Sequence, residues 1–189
     1  LVTLCAEKNL VTLVGFQLRF HPCYLHLKRL LAEGCVGAPL SVHAEVGEYL
    51  PNWHPYEDYR QSYASLPELG GGVVLSQIHE IDYLMDLFGV PENVVAFGGQ
   101  LSHLEVDVED VVDVLLTQRL GDRILPSTLH MDYAQRPSSR FCRIVGDEGT
   151  VRMDITNTLV TLDRAGGERA VFEFPSFERN HLFEREVAH

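Results

Sequence analysis

The chain has 189 residues, 46% of them hydrophobic, and its 15 Lys and Arg against 27 Asp and Glu give a formal net charge of −12. That length supports one real core, burying roughly 70% of the unfolded surface, while the acidic balance speaks against nucleic acid as a partner. Cys5, Cys23, Cys35 and Cys142 form no CxxC pair, no apolar run nears membrane-spanning length, and no signal-peptide layout opens the chain, so a soluble protein of the reducing cytoplasm is expected.

"LVTLCAEKN" (1–9) reads as a helix end, and "LVTLVGF" (Leu10 to Phe16) as a short buried strand. From Pro22, "PCYLHLKRLLAEG" has apolar residues at helical spacing, with Pro22 suited to the first turn and Gly34 to the stop. "PLSVHAEVGEYL" (Pro39 to Leu50) alternates Leu40, Val42, Ala44 and Val46 inward as a half-buried strand. The aromatic, Pro- and Gly-rich stretch Pro51 to Gly72 lacks a period and predicts a long ordered loop with one helical turn.

Three glycines, Gly70, Gly71 and Gly72, then lead into "VVLSQIHEIDYLMDLFG". Their freedom and lack of bulk predict a helix start bare of side chains, which a ligand can approach. Val74, Ile78, Ile81, Met85 and Phe88 make an apolar stripe for packing, whereas Ser76, His79 and Tyr83 share a neighbouring face that can look into a cleft. One turn on from His79, Asp82 can hold an imidazole nitrogen; the alternative is an ordinary packed or surface histidine. "HEIDY" begins like the zinc motif HExxH, but Tyr83 stands where the second histidine belongs, so no metal site is expected.

From Glu92 six strand-like segments follow, separated by turns such as "GDEG" and "AGGE", and predict an antiparallel meander with one covered face and one face solvated or used for association. The last residues, "SFERNHLFEREVAH", read as a helix.

Five pieces, "VGFQLRFHP", "LAEGCVGAPLSV", "DYRQSY", "ELGGGVVLSQIHEIDYLMDLFG" and "RIVGDEGTVRMD", stand in the order and at about the spacing of the Gfo/Idh/MocA family of NAD(P)-dependent sugar and polyol oxidoreductases. The chain resembles the second domain of such enzymes, and within them members acting on sialic-acid-like or amino-sugar substrates. The resemblance implies an α+β fold, an open and mostly antiparallel sheet with helices on one face. Residues 1–16 would be a remnant of the dinucleotide-binding domain and residues 17–189 the substrate and oligomerisation domain. It implies NAD or NADP as cofactor, a sugar-like small molecule as substrate, and homo-oligomers formed through the bare sheet face.

Matched position by position, the resemblance puts His79 at the family's catalytic histidine, a general acid and base suited to exchange a proton near neutrality. Ser76 joins it as a second catalytic candidate, standing where the family usually has aspartate; it can bond a sugar hydroxyl but supplies no negative charge. Arg19 and Gln17 are implied near the cofactor and the cleft. Trp53, His54, Tyr56, Asp58, Tyr59 and Arg60 are implied to face the sugar, with Arg60 pairing a carboxylate or phosphate. The alternative for the aromatics is that they pin a long loop to the core.

The G-x-G-x-x-G turn is missing, and "EKN" at 7–9 does not match the family's E-K-P lysine, so the chain by itself is expected to be inactive. A non-catalytic sugar-binding or oligomerisation module of the same fold is the competing expectation.

Overall fold

The computed structural model describes residues 1–189. In chain order it contains helices α1 (Val2–Glu7) and α2 (Pro22–Ala32), strand β1 (Pro39–Gly47), and helices α3 (Val73–Ser76) and α4 (His79–Phe88). Strands β2 (Asn93–Gly99), β3 (Val111–Leu120), β4 (Arg123–Asp132), β5 (Ser139–Gly146), β6 (Gly149–Asp154), β7 (Leu159–Arg164) and β8 (Arg169–Glu173) follow, then helix α5 (Asn180–Ala188). All eight strands form one open sheet in the order β2-β3-β4-β1-β5-β6-β7-β8, antiparallel at every step except β1 beside β4.

The α+β class and the mostly antiparallel sheet are as expected from the sequence, but the plain meander is not. β1 lies in the middle and divides the later strands into two hairpin-linked runs, β2 to β4 and β5 to β8. Alternation fixes which face a strand buries, not which strands flank it. Val42, Ala44 and Val46 of β1 point inward as expected, whereas Leu40 is exposed where the β1–β5 register shifts between Pro39 and Ser41.

One face of the sheet carries the helices. Leu27 and Leu30 of α2 and Tyr83, Leu84 and Phe88 of α4 pack on Val42, Ala44, Met131, Ile144 and Val151 in one buried cluster. Pro22 opens α2, and its N-cap His21 accepts the Cys23 N–H through Nδ1 at 3.2 Å. Gly34, at φ +71, lets the chain turn just beyond the helix end.

Two elements depart from the sequence reading. Leu10 to Phe16 is not a strand, and Leu10, Val11, Leu13 and Val14 are exposed. A buried strand needs ladder neighbours, and within residues 1–189 this segment has none. The helix expected after the glycines is broken into α3 and α4, because Gln77 takes φ −113 and ψ 36. The break rotates the buried face onto Val73, Glu80, Tyr83, Leu84 and Phe88, so Met85, expected inside, is exposed.

Candidate functional site

The loop from Pro51 to Gly72 holds its form through short 3-10 turns at Leu50–Asn52, Tyr59–Gln61, Tyr63–Ser65 and Pro67–Leu69. Its closing glycines do not leave an open helix start. Gly71 and Gly72 are buried, and a Cβ on Gly71 would sit 2.7 Å from the Tyr63 carbonyl oxygen. Glu109 fills the place expected to be bare: its carbonyl accepts the Val73 N–H at 3.0 Å and its Oε1 the Val74 N–H at 3.3 Å. The glycines admit Glu109 and the neighbouring loop rather than a ligand.

Beside this start lies a cavity of about 690 Å³, lined from the 3-10 turn Gln17–Phe20, the end of β1, the aromatic loop, the α3–α4 junction, residues 135–140 and the segment leading into α5. Gln17, Trp53, His54, Ser76 and His79 all line it.

His79 is the first residue of α4 and partly buried. Its Nε2 lies 3.2 Å from Gln17 Nε2, which places an amide donor against the ring nitrogen's lone pair. Its Nδ1 is enclosed and has no partner, and the Phe16 ring meets the imidazole edge-on at 6.3 Å. Burial, reinforced by the positive charge of Arg140, pushes the imidazole down to about 4, against a weaker upward pull from Asp82. The ring is therefore held neutral near pH 7 and is a weaker base than a solvated imidazole.

Asp82 does not hold the imidazole. Its two oxygens accept Arg19 Nε and Nη2 at 2.9 and 2.7 Å, and Arg19 Nη1 reaches Asp86 at 3.3 Å. Arg19 is thus tied to α4 and is not among the cavity-lining residues. Ser76 ends α3, and its Oγ is buried with no hydrogen-bond partner.

The loop residues divide. Trp53 packs edge-on against Tyr133 at 5.4 Å and leaves its Nε1 buried and unpartnered at the cavity. His54 lines the cavity too, with Nδ1 2.9 Å from the hydroxyl of Tyr56, which is itself exposed and outside the lining. Asp58, Tyr59 and Arg60 point elsewhere. Arg60 is taken by Asp58 at 2.7 Å and Glu105 at 3.1 Å, and the Tyr59 hydroxyl accepts the Glu105 N–H at 3.3 Å. A guanidinium already satisfied by two carboxylates is not free to read a ligand.

The family description GFO/IDH/MocA C-terminal domain matches residues 24–152. The chain belongs to this family. A 2,7-anhydro-N-acetylneuraminate hydratase of Escherichia coli (strain K12) is 27% identical over 173 residues, covering 91% of this chain and 45% of its own length. The chain therefore spans about half of that relative. The WlbA dehydrogenase from Bordetella pertussis, solved in complex with NADH and UDP-GlcNAcA, superposes with a TM-score of 0.67 at 24% identity, covering 81% of this chain and 45% of its own. The super-repressor mutant of Gal80p from Saccharomyces cerevisiae superposes with a TM-score of 0.79 at 17% identity, covering 99% and 53%. At these identities the structural likeness is one of fold.

Within this family member, the cavity walls that sequence reasoning missed are made by residues distant in the chain. Arg140 of β5 lines the cavity, and its Nε and Nη2 donate to the two oxygens of Glu80, each at 2.8 Å. The Arg136 guanidinium lies 3.9 Å from the Tyr49 ring centroid, and Arg179 comes from the segment before α5. Neither forms an ion pair within the chain, unlike Arg19, Arg60 and Arg140. His21, its ring tilted against that of Phe177 at 4.5 Å, is also held at about 4, by burial first and then by Arg140. One signal was available: Glu80 lies on the turn of Tyr83 and Leu84, and a carboxylate on a packed face calls for a cationic partner elsewhere in the chain.

Proposed function

We propose that this chain is the substrate-binding domain of an NAD(P)-dependent oxidoreductase that acts on a sugar, polyol or sugar acid, with His79 as general acid and base. One observation carries the reading. The buried polar atoms Trp53 Nε1, Ser76 Oγ, His79 Nδ1 and the Gln77 amide have no protein partner, and all four residues line one cavity. Buried polar groups are normally satisfied, and a polyhydroxyl ligand supplies both donors and acceptors to such a wall.

The chemistry follows from the residues. A neutral His79 takes the proton of a substrate hydroxyl on Nε2 once that hydroxyl replaces the Gln17 amide, and returns it in the reverse direction. Ser76 donates to or accepts from a neighbouring hydroxyl. Arg136 and Arg179, the cavity's cations without carboxylate partners, favour an acid among the sugars. The residues fit the reactive end of a nicotinamide cofactor, since Gln17 beside His79 offers an amide suited to a carboxamide. They do not fit its phosphates: the glycines at 70–72 follow a 3-10 turn, with Gly71 against the backbone of Tyr63, Ala64 and Leu66 and Gly72 against the Glu109 carboxylate. A nicotinamide held there by Gln17 would supply hydride acceptance or donation at the substrate carbon, while His79 carries the hydroxyl proton at Nε2.

On this reading residues 1–16, which lie outside the sheet, belong to the nucleotide-binding domain, and residues 17–189 form the substrate domain. The chain alone then turns nothing over, because donor and acceptor are not positioned together. The bare sheet face serves association between copies, and the four free cysteines suit a reducing cytoplasm. A non-catalytic sugar-binding module is the second reading, favoured by Ser76, which leaves an imidazolium at His79 without a carboxylate beside it.

The test is to titrate the chain with neutral and acidic sugars and polyols while following the His79 ring resonances, assigned with His79→Ala. Saturable shifts are expected, strongest with acids. A flat response to every sugar would overturn the substrate assignment, and a micromolar Kd for NADH on this chain would overturn the division of domains.

A further inference from the structure

We propose that Gln77 is a specificity-determining residue of this cavity, its side-chain amide pairing with a vicinal hydroxyl pair of the substrate. The inference rests on the sugar-site reading above and narrows it. Gln77 sits in the break between α3 and α4, on the cavity wall, and is 3% exposed. Neither its Oε1 nor its Nε2 has a partner, and both are enclosed, so the amide meets a ligand by turning its end into the cavity.

The protein's other fully buried glutamine shows what a structural amide looks like. Gln118, 1% exposed, donates from Nε2 to the carbonyls of Leu84 and Gly89, both at 3.2 Å, and accepts from Ser127 Oγ at 2.8 Å. Gln118 ties α4 to the sheet. Gln77 has the same donors and acceptor, is likewise buried, and has no such bond. A buried amide that does nothing for the fold is worse than an apolar side chain of its size, because it forfeits its bonds to water.

The identity of the missing partner follows from the amide's two ends. Oε1 needs a donor and Nε2 an acceptor, about as far apart as the two oxygens of a vicinal diol. A carboxylate offers only acceptors and an ammonium only donors, so either leaves one end unmet. A diol satisfies both, one hydroxyl donating to Oε1 and the other accepting from Nε2. Arg136 and Arg179 hold donors only, so they complement an acidic group and leave the hydroxyls to Gln77.

The test compares two anions of similar size, D-glucuronate and cyclohexanecarboxylate, on the chain and on its Gln77→Met variant by ligand-observed NMR. Wild type is expected to prefer glucuronate. Gln77→Met should weaken glucuronate roughly tenfold or more, the loss of two neutral hydrogen bonds, and leave cyclohexanecarboxylate unchanged. Without ligand, Gln77→Met should keep or raise Tm, while Gln118→Met lowers it. If Gln77→Met binds both probes as wild type does, or melts early as Gln118→Met does, Gln77 is structural and the inference falls alone. If wild type binds neither probe, the sugar site falls and the inference with it.

Discussion

Glu80 and Arg140 meet through two parallel hydrogen bonds of 2.8 Å, with the Glu80 side chain at 0% exposure and Arg140 forming part of the cavity wall. The pair locks the first turn of α4, where His79 begins, to the start of β5. Burial pushes the Glu80 carboxyl upward against the pull of its partner, so removing Arg140 leaves a fully buried carboxyl with nothing to offset its burial. Arg140→Met should therefore cost about 3–5 kcal/mol, the usual penalty for stranding one member of a buried pair. Combining it with Glu80→Leu should recover most of the loss. Urea unfolding of the two single variants and the double checks this.

Three histidines give stability a pH profile with two limbs. His130 on the open sheet face bonds Asp132 at 3.2 Å and Asp113 at 2.9 Å, which raises it to about 9, the Asp132 bond being the larger cause. The folded chain holds that proton more tightly than the unfolded chain, so its stabilisation is full below about 6.5 and is lost as pH rises through about 9. His21 and His79 act in the opposite sense. Folded, they resist protonation down to about 4, whereas the unfolded chain takes the proton near 6.5, so stability falls as pH drops across that interval. Melting from pH 4 to 10 should show both limbs. His130→Gln should flatten the alkaline limb only, and His79→Gln should reduce the acid one.

Much of the fold was legible because most elements state their own boundaries. Pro22 and Gly34 bracket α2, and period-two alternation marks β1, β3 and β4. What escaped depends on partners far along the chain. The apolar run at Leu10 to Phe16 carries a strand's composition without strand neighbours, and Gln77 breaks a helix whose pattern looked continuous. The site divided in the same way. Ser76, His79, Trp53, His54 and Gln17 converge on the cavity, but Arg19 and Arg60 are claimed by Asp82 and Asp58, carboxylates a sequence reader cannot distinguish from solvated ones. The free cations, Arg136 and Arg179, sit in stretches with no motif.

Gly71 tests whether the glycine run is structural. A Cβ there would stand 2.7 to 2.8 Å from the backbone of Tyr63, Ala64 and Leu66, none of which can swing aside. Gly71→Ala should destabilise by about 1–3 kcal/mol through overpacking. Gly70 has open space around it but φ +79, so Gly70→Ala should cost less, through backbone strain alone. Thermal melts of the two variants should keep that order.

The choice of acid reader is equally testable. Arg136 lies over Tyr49 with no carboxylate partner, whereas Arg60 is held by Asp58 and Glu105. Arg136→Met should weaken a sugar acid roughly three- to tenfold while barely affecting the matching neutral sugar, and the difference should shrink with added salt. Arg60→Met should leave both unchanged. Calorimetric titration at two ionic strengths separates the two arginines.

The open sheet face makes the last prediction. Phe97 and Asp113 lie opposite each other across β2 and β3, as do Val95 and Leu115, and the side chains of these four residues face away from the helices. Phe97 is 77% exposed, and Val95, Leu115 and Ile124 are exposed with it. A row of large apolar side chains on the uncovered side of a sheet is poorly matched to water. The same face carries His130 between Asp113 and Asp132, which offsets part of their negative charge. If copies associate here, Phe97→Asp should dissociate them by placing a carboxylate beside Asp113 in the apolar row. Sedimentation velocity should then show a smaller species for Phe97→Asp than for the unaltered chain, at unchanged Tm for the dissociated unit. An identical distribution for both proteins would remove this face from any assembly.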